Sequence, residues 1–191
     1  TALKPYDTDE LAQYSAALKA AYNKTLMSGV KVGKDVPSDL LADPSFENKG
    51  QGWNGLSQIT AVNTKYQNAE AYEKAFDLYQ ELEGLPEGVY TITAKAFQRT
   101  GTNAVAYPKH LNGTEVINAY IYGNEVEKKV CSVYDGPMDE KSPAGDSDNS
   151  GQAADYSPED NPNVYYANSM CGFKAACDKD LYNVSVNVIV K

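Results

Sequence analysis

From Phe76 to Arg99 (FDLYQELEGLPEGVYTITAKAFQR) apolar side chains recur at every second position on both sides of a Gly84-Leu85-Pro86-Glu87-Gly88 break, the pattern of two strands joined by a turn. In the second run Tyr90, Ile92, Ala94 and Ala96 share one face, so Thr91, Thr93, Lys95, Phe97 and Arg99 take the other. In the first run Phe76, Leu78 and Leu82 share a face with Tyr79 opposite. Tyr72, Phe76, Tyr79 and Leu82 also make a helical stripe, and the alternation favours the strand. Val116 to Tyr122 (VINAYIY) alternates too, with Ile117, Ala119 and Ile121 inward and Asn118, Tyr120 and Tyr122 outward. It stops at Gly123-Asn124, a hairpin-turn dipeptide ahead of Glu125 to Val133. Ser57 to Val62 and Tyr182 to Val190 (YNVSVNVIV) read as further strands.

Helical periodicity is clearest from Thr8 to Leu26. Thr8 caps it, Asp9 and Glu10 occupy the first turn, and Leu11, Tyr14, Leu18, Ala21, Tyr22 and Thr25 fall on one face. Gly29 and Gly33 end it, and a strand-rich chain offers such a helix little to bury against, which suits a connector or a packed arm. Val164 to Asp178 has room for a short helix. Several short strands at this spacing predict an all-β sandwich. The expected organisation is a helix and linker over residues 1–39 and a β-sandwich module over 40–191, with a long acidic loop at 134–163.

Composition sharpens this picture in two places. Fifteen tyrosines stand against four phenylalanines and one tryptophan; tyrosine joins an apolar face to a polar tip and suits both sheet packing and wet binding surfaces. The net charge of -9 argues against nucleic acid or an anionic membrane as partner, since both attract clustered Lys and Arg. No apolar run reaches the length of about 18 residues that membrane insertion takes, and no signal-peptide pattern is present in these residues, as is also expected of a mature or trimmed chain. Cys131, Cys171 and Cys177 leave two readings open, three buried thiols or one pairing with Cys131; within one helix Cys171 and Cys177 would point apart.

Asp43-Pro-Ser-Phe-Glu47 followed by Gly52-Trp53 resembles the opening of galactose-binding-like β-sandwiches, the fold of many carbohydrate-binding modules. Phe76-Asp-Leu-Tyr-Gln80, Leu85-Pro-Glu-Gly-Val-Tyr90, Phe97-Gln-Arg99, Ala119-Tyr-Ile-Tyr-Gly-Asn124 and Pro162-Asn163 through Asn168-Ser-Met170 extend the similarity, over roughly Leu41 to Lys191, to modules of secreted and surface proteins of Bacteroidetes. The resemblance implies a jelly-roll sandwich with a strand at Phe76 to Leu82, and a structural calcium with Glu47 as a ligand. Such modules continue past the position of Val190 into a hairpin and a final strand, so it also implies an open sheet edge. That edge suits either a fragment or a strand supplied by a partner.

Chemistry points to binding rather than catalysis. HExxH, GxSxG, P-loop and CxxC motifs are missing, and His110 falls in a polar loop after Gly101 with no defined partner. A glycan needs an aromatic face to stack on and a few amide, guanidinium or carboxylate groups for its hydroxyls. Tyr79, Arg99, Asn118, Tyr120 and Tyr122, all outward by alternation, meet that need on one sheet face. The loop tyrosines Tyr107, Tyr156, Tyr165 and Tyr166 are the rival surface, and packing under the helix or loop is the plain alternative for the face. Asp146-Ser-Asp-Asn-Ser-Gly151 matches half of a calcium loop through Asp146 and Asp148, with Ser157 where a bidentate acid belongs. The expected function is a noncatalytic glycan-binding or accessory module of a secreted or cell-surface protein, calcium being its only candidate cofactor. The alternative is an adhesion or assembly module that binds a protein partner through the open edge or the tyrosine-rich loops.

Overall fold

The computed structural model describes residues 8–31, 33–101, 103–136 and 170–191. Helix α1 (Thr8–Met27) leads, as its periodicity predicts. Strands β1 (Ala61–Asn63), β2 (Asn68–Glu70), β3 (Gly88–Lys95) and β4 (Phe97–Gln98) follow, then α2 (Asn103–Leu111), β5 (Tyr120–Gly123), β6 (Val126–Lys129), β7 (Cys131–Ser132), α3 (Met170–Asp178) and β8 (Asn183–Val190).

β3 pairs antiparallel with β8 over its whole length, Gly88 opposite Val190 and Lys95 opposite Asn183. Alternation holds on both: Val184, Val186 and Val188 are buried, and Tyr90, Ile92 and Ala94 are half-buried on the facing strand. The predicted β5–β6 hairpin forms with Asn124 at φ 51° in its turn and Gly123 opposite Val126. Gly123 belongs to the strand, not the turn, because a Cβ there would lie 2.5 Å from Val188 Cγ2 and 2.6 Å from Ile92 Cδ1. The hairpin thus packs its inner side directly on the inner side of the β3–β8 ribbon. Ala96 joins the ribbons, its N–H donating to Tyr182 O (3.0 Å) and its carbonyl accepting from Cys131 N (3.2 Å).

The expected galactose-binding-like all-β sandwich is not what the chain builds. Among the described residues are three α-helices and four separate two-stranded ladders, β1–β2, β3–β8, the parallel β4–β7 and β5–β6. The predicted central hairpin is absent, since β3 takes its partner from the far end of the chain. Phe76 to Leu82 is neither strand nor helix. Two of its residues have their backbone groups taken outside any ladder, Asp77 N donating to Gln58 Oε1 (2.7 Å) and Tyr79 bridging Asn54, while the Gln80 side-chain amide anchors the segment to both backbone groups of Ala42. With those groups satisfied locally no ladder is required, and Phe76 is left exposed.

Alternation also breaks after Ala96, where the chain leaves β8 for β7. Phe97, expected outward, turns into the core and touches both buried clusters, one of Ala106, Val133 and Tyr134 and one of Ala176 and Tyr182. Around it Phe173 and Tyr182 lie at ring distances of 5.2 and 5.0 Å. The region expected to be a polar loop after Gly101 is α2 instead, with Pro108 inside it.

Candidate functional site

The outward side of β5 carries Tyr120 and Tyr122, which face Lys129 and Glu127 of β6 across the hairpin. Opposite residues of an antiparallel pair project from the same side, so the four form one exposed face, with Tyr120 38% and Tyr122 43% exposed. Asn118 is exposed just before β5 and shares its parity, its N–H donating to Gln98 Oε1 (2.9 Å) as does that of Ala119.

A second segment completes the face. The Tyr122 hydroxyl donates to Asp77 Oδ1 at 2.6 Å, and Asp77 is itself held by Gln58. Tyr79 follows on the same segment, with Asn54 N donating to its carbonyl (2.9 Å). Desolvation first, then the hydrogen bond and charge of Asp77, with a smaller contribution from Tyr79, push the Tyr122 phenol up to about 12. The phenol is therefore neutral at physiological pH, and its hydroxyl is held by the Asp77 carboxyl group.

Four of the five expected sugar contacts, Tyr79, Asn118, Tyr120 and Tyr122, thus come to one region. Arg99 does not join them. The break at Ala96 carries it toward Tyr134, whose buried phenol is pushed up to about 12 by desolvation while the Arg99 charge pulls the other way. Tyr107, a loop candidate, is part of α2 and packs on Tyr134 (5.2 Å).

Sequence reasoning missed two carboxylates. Asp77 carries no signal of its own beyond its place beside Leu78 and Tyr79. The Glu115 side chain is only 6% exposed and pairs with His110 Nδ1 through Oε2 at 3.0 Å, while Oε1 has no hydrogen-bond partner among the described residues. His110 therefore has a defined partner, and its ring lies tilted against that of Tyr134 (5.4 Å). The pair ties the last turn of α2 to the segment entering β5.

The opening motif is built around Asp43, whose Oδ1 and Oδ2 accept from Asn48 N (3.0 Å) and Gly50 N (2.7 Å). Its carbonyl accepts from Trp53 Nε1 (3.0 Å), and Phe46 stacks on the indole at 5.4 Å. Glu47 accepts from Gln67 Nε2. Among the described residues no group of three or more His, Cys, Asp or Glu is placed to hold a metal ion. Asp146, Asp148, Tyr156, Tyr165 and Tyr166 lie outside the described residues. Cys131 and Cys177 carry free thiols, both pushed up chiefly by burial.

The two high phenols give a pH prediction. Each is raised above its ordinary 10 in the folded chain, so between about pH 10 and 12 the unfolded chain binds fewer protons than the folded one and stability falls as pH rises. Denaturant unfolding across that window is expected to show this decline, and Tyr122→Phe with Tyr134→Phe is expected to flatten it. A decline unchanged in the double variant would assign it to other groups. No helix among the described residues is long and apolar enough to cross a membrane. Comparison with protein-family models, with characterised proteins and with solved structures finds no match to this chain.

Proposed function

We propose that the chain is a noncatalytic glycan-binding or accessory module of a secreted or cell-surface protein, gripping sugar on the face formed by Tyr79, Asn118, Tyr120 and Tyr122. The observation that carries this reading is the hydrogen bond from Tyr122 to Asp77, which orients one exposed aromatic ring beside another, Tyr120, on a short hairpin. Fixed rings lose little freedom when a pyranose stacks on them, and Asn118, Glu127 and Lys129 supply donors and acceptors for hydroxyls. The acids Asp77 and Glu127, within a chain of net charge -9, disfavour uronic or sialic acids and favour neutral or amino sugars. Binding at one such face is weak and gains strength when modules are tethered.

A glycan array tests this. Binding to a neutral glycan is expected, reduced about tenfold or more by Tyr120→Ala and by Tyr122→Ala, with anionic glycans unbound. An array blank for every glycan would instead favour a protein ligand, for which β8 offers an edge that no strand occupies among the described residues.

A further inference from the structure

α1 is amphipathic in the reverse sense to a helix docked on a core. At about 100° per residue, Ala16, Ala20, Asn23 and Met27 fall on one side, and this side meets the body: Asn23 Nδ2 donates to Glu83 O (2.7 Å) and a Cβ at Gly84 would lie 2.5 Å from Ala20 O. Met27 and Asn23 are buried there. The large apolar residues Leu11, Tyr14, Leu18 and Tyr22 fall on the opposite side and are 49, 65, 73 and 51% exposed. Apart from Met27, small or polar residues face the protein while four large apolar ones face solvent, which marks the outer stripe as an interaction surface.

We infer that this stripe is covered by the same stripe of a second copy, the two α1 helices packing antiparallel about a two-fold axis. Three observations select this occupant. The order Leu11, Tyr14, Leu18, Tyr22 complements itself when reversed: Leu11 meets Tyr22 of the other copy and Tyr14 meets Leu18, so every layer pairs one aliphatic with one aromatic side chain. A parallel pair would stack tyrosine on tyrosine and bring the acidic first turns, Asp9 and Glu10, together. Antiparallel packing instead sets Glu10 along the same flank as Lys24 of the other copy and opposes the helix dipoles. Because the stripe is diametrically opposite the side that meets the body, the described residues of the two copies lie on opposite sides of the helix pair and do not collide. The contact is isologous and closes at two copies.

The area sets the strength. The exposed parts of the four side chains amount to on the order of 500 Å² per copy, below the roughly 800 Å² per partner of a standard stable interface. The dimer is therefore weak and reversible, and it presents two Tyr120–Tyr122 faces at once.

Sedimentation equilibrium of the chain over micromolar to millimolar concentration tests the inference. The expected result is a monomer–dimer equilibrium whose dissociation constant rises more than tenfold in Leu18→Lys. It rises several-fold in Lys24→Glu and recovers in the Glu10→Lys, Lys24→Glu double variant. Leu18 is exposed, so circular dichroism is expected to report an unchanged fold for Leu18→Lys. A chain monomeric at millimolar concentration would overturn the inference and leave the stripe to another polypeptide. A dimer untouched by Leu18→Lys would overturn it in favour of a different contact, such as the β8 edge.

Discussion

Tyr182→Ala is expected to lower the stability of the protein by about 3–5 kcal/mol, the range for deleting a buried aromatic side chain, with Tyr182→Phe losing about 1 kcal/mol for its buried hydrogen bond. The ring is 4% exposed and lies 5.0 Å from Phe97 and 6.4 Å from Phe173. Its hydroxyl donates to Val133 O at 2.7 Å, which ties the cluster under α3 to the cluster under α2. Its own carbonyl accepts from Ala96 N, at the point where the chain passes from β3 to β4. One residue therefore fastens the start of β8, the β3–β4 junction and the Val133–Asp135 turn to one another. Urea unfolding measures both variants. An alanine variant within about 1 kcal/mol of the parent would mean that the two clusters hold independently of this link.

The parts of this fold that were legible in the sequence are those in which one local period decides the outcome. The Leu11 to Thr25 spacing specifies α1, the Tyr90-Ile92-Ala94 and Val184-Val186-Val188 alternations specify β3 and β8, and the Gly123-Asn124 signal places the hairpin, although only Asn124 of the two lies in the turn. What was not legible is which strands pair. β3 finds β8 rather than its neighbour because the preceding segment commits Asp77 N to the Gln58 side chain and Tyr79 to the Asn54 bridge, and is pinned by the Gln80 side chain to the backbone of Ala42. Side-chain substitution for a ladder has no period, and strand pattern alone reads past it. The sandwich expectation fails at that step, since it required Phe76 to Leu82 as a central strand.

The candidate site follows the same division. Tyr120, Tyr122 and Asn118 share a face because parity within a short run is a local property. Arg99 is lost from it because parity does not survive the change of partner at Ala96. His110 was misread as a loop residue because Pro108 is a helix breaker by propensity, yet it sits well inside the nine residues of α2. Glu115 lies beyond the end of that helix, at a separation no helical pairing rule covers, and only the return of the chain toward β5 brings it onto the imidazole.

Gly55→Ala is the substitution expected to damage the site most. Gly55 has φ 84°, and a Cβ built there would lie 1.7 Å from Asp77 O and 2.9 Å from Asp77 C. These are backbone atoms, so no side-chain rotation relieves the contact. The left-handed conformation alone costs a non-glycine residue about 1–2 kcal/mol, and forcing the segment away adds about 1–3 kcal/mol as in other overpacked positions, for a total of about 2–5 kcal/mol. The displaced segment is the one that bridges Asn54 to Tyr79 and presents Asp77 to Tyr122. The variant is therefore expected to lose glycan binding by tenfold or more, and the Tyr122 phenol is expected to fall from about 12 toward its ordinary 10. Thermal unfolding, array binding and ultraviolet phenol titration read the three effects separately. Loss of stability with the Tyr122 titration unmoved would show that residues 77–79 shift together with the hairpin and that Gly55 serves the fold alone. Loss of binding together with the downward titration shift, at a temperature where the variant remains folded, would tie the sugar site to the Asp77–Tyr122 contact itself.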